Sequence, residues 1–148
     1  MRTGTRIGID VGTARVGVAR SDSGGLMAVP VVTLSRETAI EELALLATEY
    51  DAIEFVCGLP LSLDGSDTAS TRDARQFAVD LSVATGLVVR LVDERLTTVT
   101  AQHALHDASH STKSGRAMID QVAATILLDS ALDAERAGNT LGETVGEQ

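Results

Sequence analysis

Ile7-Gly8-Ile9-Asp10-Val11-Gly12-Thr13 ends the first apolar run of the chain on a carboxylate. In a strand, side chains alternate between faces, so Asp10 shares its face with Gly8 and Gly12, whose missing side chains leave room for an ion or a phosphate. A turn aspartate satisfied by nearby backbone amides is the structural alternative. A buried charge needs a partner, and the candidates downstream are themselves acids, Asp93-Glu94 and Asp120. Acids that converge in this way usually hold a metal.

Outward from this strand the first third reads as three extended stretches, 6–11, 16–21 and 28–34, separated by Gly12-Thr13-Ala14-Arg15 and Asp22-Ser23-Gly24-Gly25. Links this short and turn-rich predict an antiparallel meander. The rhythm then changes. Ile40, Leu43, Ala44 and Ala47 fall at helical spacing within 37–50, and 52–58 is a short apolar strand. Ala74, Phe77, Ala78 and Leu81 share a helical face within 67–85, followed by a strand at 87–92. A last helix is expected over about 114–137, with Met118, Ile119, Val122, Ala123 and Ile126 inward. The order β-β-β-α-β-α-β-α is that of a ribonuclease H-like domain. It predicts an α/β fold with a mixed five-stranded sheet, parallel strands beside an antiparallel edge, and helices on both faces. Residues 1–137 read as one domain, which the length of 148 residues suits. From Gly138 periodicity is lost and glycine and acid accumulate, so 138–148 are expected to be a disordered tail.

Composition narrows the classes. No segment approaches the roughly 18 uninterrupted apolar residues of a membrane span. Met1-Arg2-Thr3 leads straight into a strand without the apolar stretch of a signal peptide, so a cytoplasmic location is expected. The single cysteine, Cys57, lies in an apolar run and reads as a small core side chain in a reducing compartment, with an intermolecular disulfide as the minor alternative. The formal net charge of −9 disfavours a polyanionic partner unless bound cations reverse the local field. With two phenylalanines, one tyrosine and no tryptophan, stacking on bases is not a main binding mode. His103, His106 and His110 fall at helix-compatible intervals, but no cysteine or second cluster completes a zinc site.

Adjacent acids on a strand point to opposite faces, so at most one of Asp93 and Glu94 joins Asp10. Arg95 beside them has the fork geometry that suits phosphate. A solvated strand end with a weak local ion pair explains this stretch equally well. Asp120 is placed in the early turns of the last helix, beside apolar Met118, Ile119 and Val122. Taken together, Asp10, Glu94 or Asp93, and Asp120 fit a phosphodiesterase that uses two Mg²⁺ or Mn²⁺ ions, which prefer oxygen ligands. Eleven of the twelve basic residues are arginine, and Arg15, Arg72, Arg75, Arg95, Lys113 and Arg116 fall near candidate site loops. The stretch 58–66, which contains Gly58, Pro60 and Ser66, follows a strand and precedes a helix. Its amides suit phosphate at a helix N-terminus, with Ser66 or Thr68 as the cap, although an ordinary Asp-Gly turn is an even alternative. Thr97 and Thr98 are candidates either for substrate contact or for capping.

Four motifs in order, IGIDVGTARVGVARSD, GLPLSLDG, VDERLTT and IDQVAATILLDSAL, resemble the YqgF family, the pre-16S rRNA nucleases related to Holliday junction resolvases. The resemblance runs to about Leu132. It implies a ribonuclease H-like fold, a cytoplasmic nuclease, and a role in 5′-end maturation of 16S rRNA in ribosome biogenesis. It carries catalytic acids onto Asp10, Glu94 or Asp93, and Asp120, with Glu94 favoured. Where resolvase relatives place an acid at the end of the fourth strand, this chain has Gly58-Leu59-Pro60. Where family members often carry a basic cluster before the last helix, it has only Lys113 and Arg116. The expected partners are an rRNA precursor, in a pre-ribosomal particle, or branched DNA, met by a monomer or homodimer. Two alternatives stand beside this: a dimeric Holliday junction resolvase, and a noncatalytic assembly or nucleotide-binding protein, since IGIDVGT also resembles the phosphate-binding turn of actin-like ATPases.

Overall fold

The computed structural model describes residues 1–99 and 113–146, with side chains from Met118 onward in the last helix. Three strands open the chain, β1 (Thr5–Val11), β2 (Arg15–Ser21) and β3 (Ala28–Ser35). Then come α1 (Ala39–Glu49), β4 (Ala52–Leu59), α2 (Ala69–Thr85), β5 (Val89–Asp93), a single 3₁₀ turn at Glu94–Leu96, α3 (Lys113–Arg136) and β6 (Glu143–Val145). The sheet order is β3-β2-β1-β4-β5-β6. β1 is antiparallel to β2, and β2 to β3, as the short turns require. β1–β4 and β4–β5 are parallel, the chain reaching β4 from the meander through α1 and β5 from β4 through α2.

Alternation along the strands divides the core into two layers. Ile7, Ile9, Val16, Val18, Phe55, Cys57 and Leu91 pack with Leu43 of α1 and Phe77 and Leu81 of α2. The opposite face sets Ala19, Val56 and Val92 against Ala123, Ala124, Leu127, Leu128 and Leu132 of α3. Helices therefore cover both faces, as expected for a sheet whose central strands read almost wholly apolar. α2 begins at Thr68, whose hydroxyl accepts from the Thr71 amide while the Thr71 hydroxyl accepts from the Thr68 amide. It ends on Gly86, in the left-handed conformation that closes helices.

The expected sheet of five strands is corrected to six. Glu143–Val145 pairs antiparallel with β5, inside the stretch whose composition reads as disordered. Three residues are too few for alternation to register in the sequence. What seats them is tertiary: the open edge of β5, Val145 packed against the apolar core, and an ion pair from Arg75 to Glu143. No described helix is long and apolar enough to cross a membrane.

Candidate active site

Small residues decide how close α3 comes to the sheet. A Cβ on Gly8 would lie 2.8 Å from the Ala124 carbonyl and from Leu128 Cβ, and one on Gly17 would collide with the Asp120 backbone. The helix therefore rests directly on β1 and β2. Asp10 pairs with Gly17 across the β1–β2 ladder and shares the α3-facing side of β1 with Gly8. Asp120 is thereby seated over the strand position directly opposite Asp10.

The third acid, Glu94, opens the 3₁₀ turn that follows β5. Ile9 pairs with Cys57, so one residue further on Asp10 stands beside Gly58. A Cβ on Gly58 would lie 2.7 Å from Glu94 Oε1 and 2.7 Å from Leu127 Cδ1. Glu94 thus reaches over the end of β4, into the room that a side chain at position 58 would need. Asp10 is 6% exposed and Glu94 5%. Both lie near enough to the fully buried Cys57 to act on its thiol, which burial first, and these two carboxylates second, push far above its ordinary value. Cys57 is a core side chain in a position that the surface does not reach.

Asp93 faces elsewhere. Its carboxylate accepts from the Arg95 amide at 2.9 Å and from Arg95 Nη2 at 2.7 Å, and this guanidinium holds it below the usual carboxylate range. The neighbouring acids are split where β5 gives way to the 3₁₀ turn, and Glu94 is the one that lies over Gly58, on the Asp10 side. Arg95 also donates to the Leu63 carbonyl, tying the 58–68 loop to the end of β5. In that loop Asp64 accepts from the Ser66 amide and hydroxyl, and from the Ser62 hydroxyl, and these bonds lower its pKa. Ser66 is thus engaged inside the loop, and the cap of α2 is Thr68. The Pro60 carbonyl accepts from the Thr71 hydroxyl. Thr97 caps locally, accepting from the Val99 amide and donating to the Glu94 carbonyl, while Thr98 is exposed.

Arg15 starts β2 and donates from Nε to Asp120 Oδ2 at 2.8 Å. Arg75 is paired with Glu143, away from the acids, and Arg72 is exposed. Lys113 and Arg116 belong to the first turns of α3, and their side chains, like all of His103, His106 and His110, lie outside the described residues. Two contributors escape a sequence reading. Gly17 lets the backbone of Asp120 close on β2 at the position opposite Asp10, and its signal was a residue without a side chain at the centre of a strand otherwise built for packing. Arg36 donates to the Gly12 carbonyl and forms a fork with Asp73 of α2, fixing the turn after Asp10. No local pattern marks that pairing, which spans 37 residues.

The donors suit a hard divalent cation by chemistry: three carboxylates on one face of the sheet, over glycines that leave space. Among the described residues no three acids, histidines or cysteines stand as one metal-holding group. Asp120 is turned toward Arg15.

A family model described as "RuvX: Holliday junction resolvase" matches residues 4–134. The chain belongs to the RuvX family. The resemblance read from the four motifs is borne out by its relatives. A protein of Clavibacter michiganensis subsp. michiganensis is 50% identical over 144 residues, covering 95% of this chain and 89% of its own, and is named "Putative pre-16S rRNA nuclease". A Streptomyces coelicolor protein of the same name is 45% identical over 150 residues, covering 98% and 90%. Both the family description and these names denote nucleases, enzymes that hydrolyse nucleic acid. Among solved structures, Thermus thermophilus RuvC in complex with a Holliday junction substrate superposes with a TM-score of 0.65 at 9% identity, covering 95% of this chain and 99% of that one. At that identity the likeness establishes the ribonuclease H-like fold of this RuvX protein.

Proposed function

We propose that this RuvX protein is a divalent-metal-dependent endonuclease that trims the 5′ end of 16S rRNA precursors in the cytoplasm. The observation that carries the proposal is the delivery of Asp10, Glu94 and Asp120, from three separate elements, to one glycine-cleared face of the sheet. The names of the relatives support RNA as the substrate. Bound Mg²⁺ or Mn²⁺ would supply positive charge to an attacking water and to the leaving oxygen. Asp10 and Glu94, with Asp120, would hold these ions and fix the line of attack. Arg95 and the 58–66 loop, with Gly58 and Pro60 at its start, lie beside the acids and would orient the phosphodiester. Lys113 and Arg116 are proposed as further phosphate contacts from the start of α3, and Thr98 as an exposed one. Ser66 and Thr97 act through the loop and the turn that their hydroxyls hold.

The test is cleavage with Mg²⁺ or Mn²⁺ of a 16S precursor leader by the wild type and by Asp10→Asn. Cutting that depends on Asp10 supports the reading, and equal cutting by both proteins removes it. A second reading, resolution of branched DNA, rests on the family description. A four-way junction is symmetric and needs two sites, hence a dimer. Cutting of the junction alone, by a protein that scatters light as a homodimer, would replace the first reading with this one.

A further inference from the structure

We infer that Arg15 is a latch on Asp120: it holds this carboxylate in the free protein and gives it up when cation and nucleic acid bind, so that the two bind cooperatively. The inference rests on the nuclease reading above and adds the order within its site. Asp120 cannot move as a whole, because its backbone is pressed onto Gly17 and a Cβ there would already collide. Arg15 is equally fixed at its backbone. It pairs with Ser35 of β3, and its carbonyl accepts from the Gly12 amide at 2.8 Å. Only the two side chains are left to swing.

Their contact, Nε to Oδ2 at 2.8 Å, puts a guanidinium on the carboxylate that would have to turn toward Asp10 and Glu94. A cation and a guanidinium compete for the same oxygen, because both satisfy it with positive charge. Arg15 keeps 31% of its side chain exposed and Asp120 14%, so the arginine is the partner with room to leave. Once off Asp120, its fork is suited to a phosphate oxygen of the strand being cut. The linkage is reciprocal: phosphate that draws Arg15 away frees Asp120 for the cation, and cation on Asp120 releases Arg15 to phosphate. Arg15 is a positioning residue in this scheme.

Direct Mn²⁺ binding, followed by the resonance of the free ion in solution, tests the latch without relying on turnover. The full chain is titrated as wild type, Arg15→Gln, Arg15→Lys and Asp10→Asn, with and without a cleavage-resistant 2′-O-methyl RNA of the precursor leader sequence. Without RNA, Arg15→Gln should bind Mn²⁺ about tenfold tighter than the wild type, within the usual range of coupling between sites. RNA should tighten Mn²⁺ binding to the wild type by a similar factor and leave Arg15→Gln unchanged. Arg15→Lys, which keeps a cation within reach of Asp120, should return the affinity toward that of the wild type. Equal or weaker Mn²⁺ binding by Arg15→Gln, or a lysine variant that behaves like the glutamine one, overturns the latch. If Asp10→Asn still weakens Mn²⁺ binding in that case, the metal-dependent nuclease stands and only the latch is lost. Failure of the wild type to bind Mn²⁺ with or without RNA overturns both.

Discussion

At the scale of single residues, the site depends on which acid faces α3 and on what is missing at position 58. Asp93 ends β5 and Glu94 opens the 3₁₀ turn after it, and that step sends one to Arg95 and the other over Gly58. Glu94→Gln should therefore lower the cleavage rate on the order of a hundredfold or more, the several kcal/mol expected when a charged ligand oxygen is lost. Asp93→Asn, which loosens an exposed pairing with Arg95, should change the rate only a few-fold and stability by less than about 1 kcal/mol. Single-turnover rates on the precursor leader distinguish the two, and a larger loss in Asp93→Asn would reverse the assignment. Gly58→Ala tests the same geometry from the other side. Its methyl would meet Glu94 Oε1 and Leu127 Cδ1, both at 2.7 Å. Overpacking of this kind costs about 1–3 kcal/mol, and displacement of Glu94 should depress the rate well beyond what that loss of stability explains. Thermal melts and rates on the same samples separate these effects.

At the scale of elements, the close seat of α3 on β1 and β2 is what brings Asp120 over the strand position opposite Asp10. Gly17→Ala places a methyl into the backbone of Asp120 itself, where no rotamer change relieves it. The helix must lift, and the expected cost is about 2–3 kcal/mol in urea unfolding, with Asp120 carried away from Asp10. A stability equal to that of the wild type would show that α3 does not press on Gly17. The elements themselves were largely legible in the sequence, because turn chemistry sets a meander and a 3.6-residue period marks helices. The three described helices fall within two residues of their expected bounds. Asp10 and Asp120 were candidates only when taken together, and of the residues expected to face inward beside Asp120, Met118 and Val122 are exposed, since a helix pattern marks an apolar stretch but not which side meets the sheet. The choice of Glu94 over Asp93 was open to alternation only as "one of the two", since strand registers are tertiary. The Arg15–Asp120 pair, 105 residues apart, and strand β6 were not legible. Each depends on a neighbour that folding alone supplies. β6 also has its own test: ending the chain at Gly138 would bare the edge of β5, and should lower the melting temperature and promote association at high concentration, seen by light scattering. An unchanged, monodisperse protein would make β6 dispensable.

At the scale of the whole molecule, the sheet has an acidic end where the candidate site lies and an arginine-rich end where its central strands begin. There Arg6, 1% exposed, and Arg2 both pair with Glu135 of α3, while Arg2 and Arg90 reach Glu54, itself 3% exposed. Arg6 is further held by the Gly4 and Arg2 carbonyls at 2.8 and 2.9 Å. This network anchors the far end of α3, as Gly17 seats the near one, so it supports the site at a distance. Burial alone would raise the pKa of Glu135, but hydrogen bonds from Arg2, and the charges of Arg2 and Arg6, hold it below the ordinary glutamate value. The sign of the resulting pH dependence follows from linkage. An acid whose folded pKa is depressed binds fewer protons when folded than when unfolded, so its contribution is complete above its unfolded value of about 4.3 and is lost as pH falls through the folded one. Stability to urea should accordingly be flat from neutral pH down to about 5 and then decline below about 4.3. Glu135→Gln should be less stable at neutral pH by about 2–4 kcal/mol, because it leaves Arg6 buried beside an uncharged partner. It should also decline less steeply in acid, so that the two curves converge toward low pH. Parallel curves would mean that Glu135 does not carry the acid sensitivity, and would shift it to Asp73 and Asp93, whose arginine partners likewise lower their pKa values at the opposite end of the sheet.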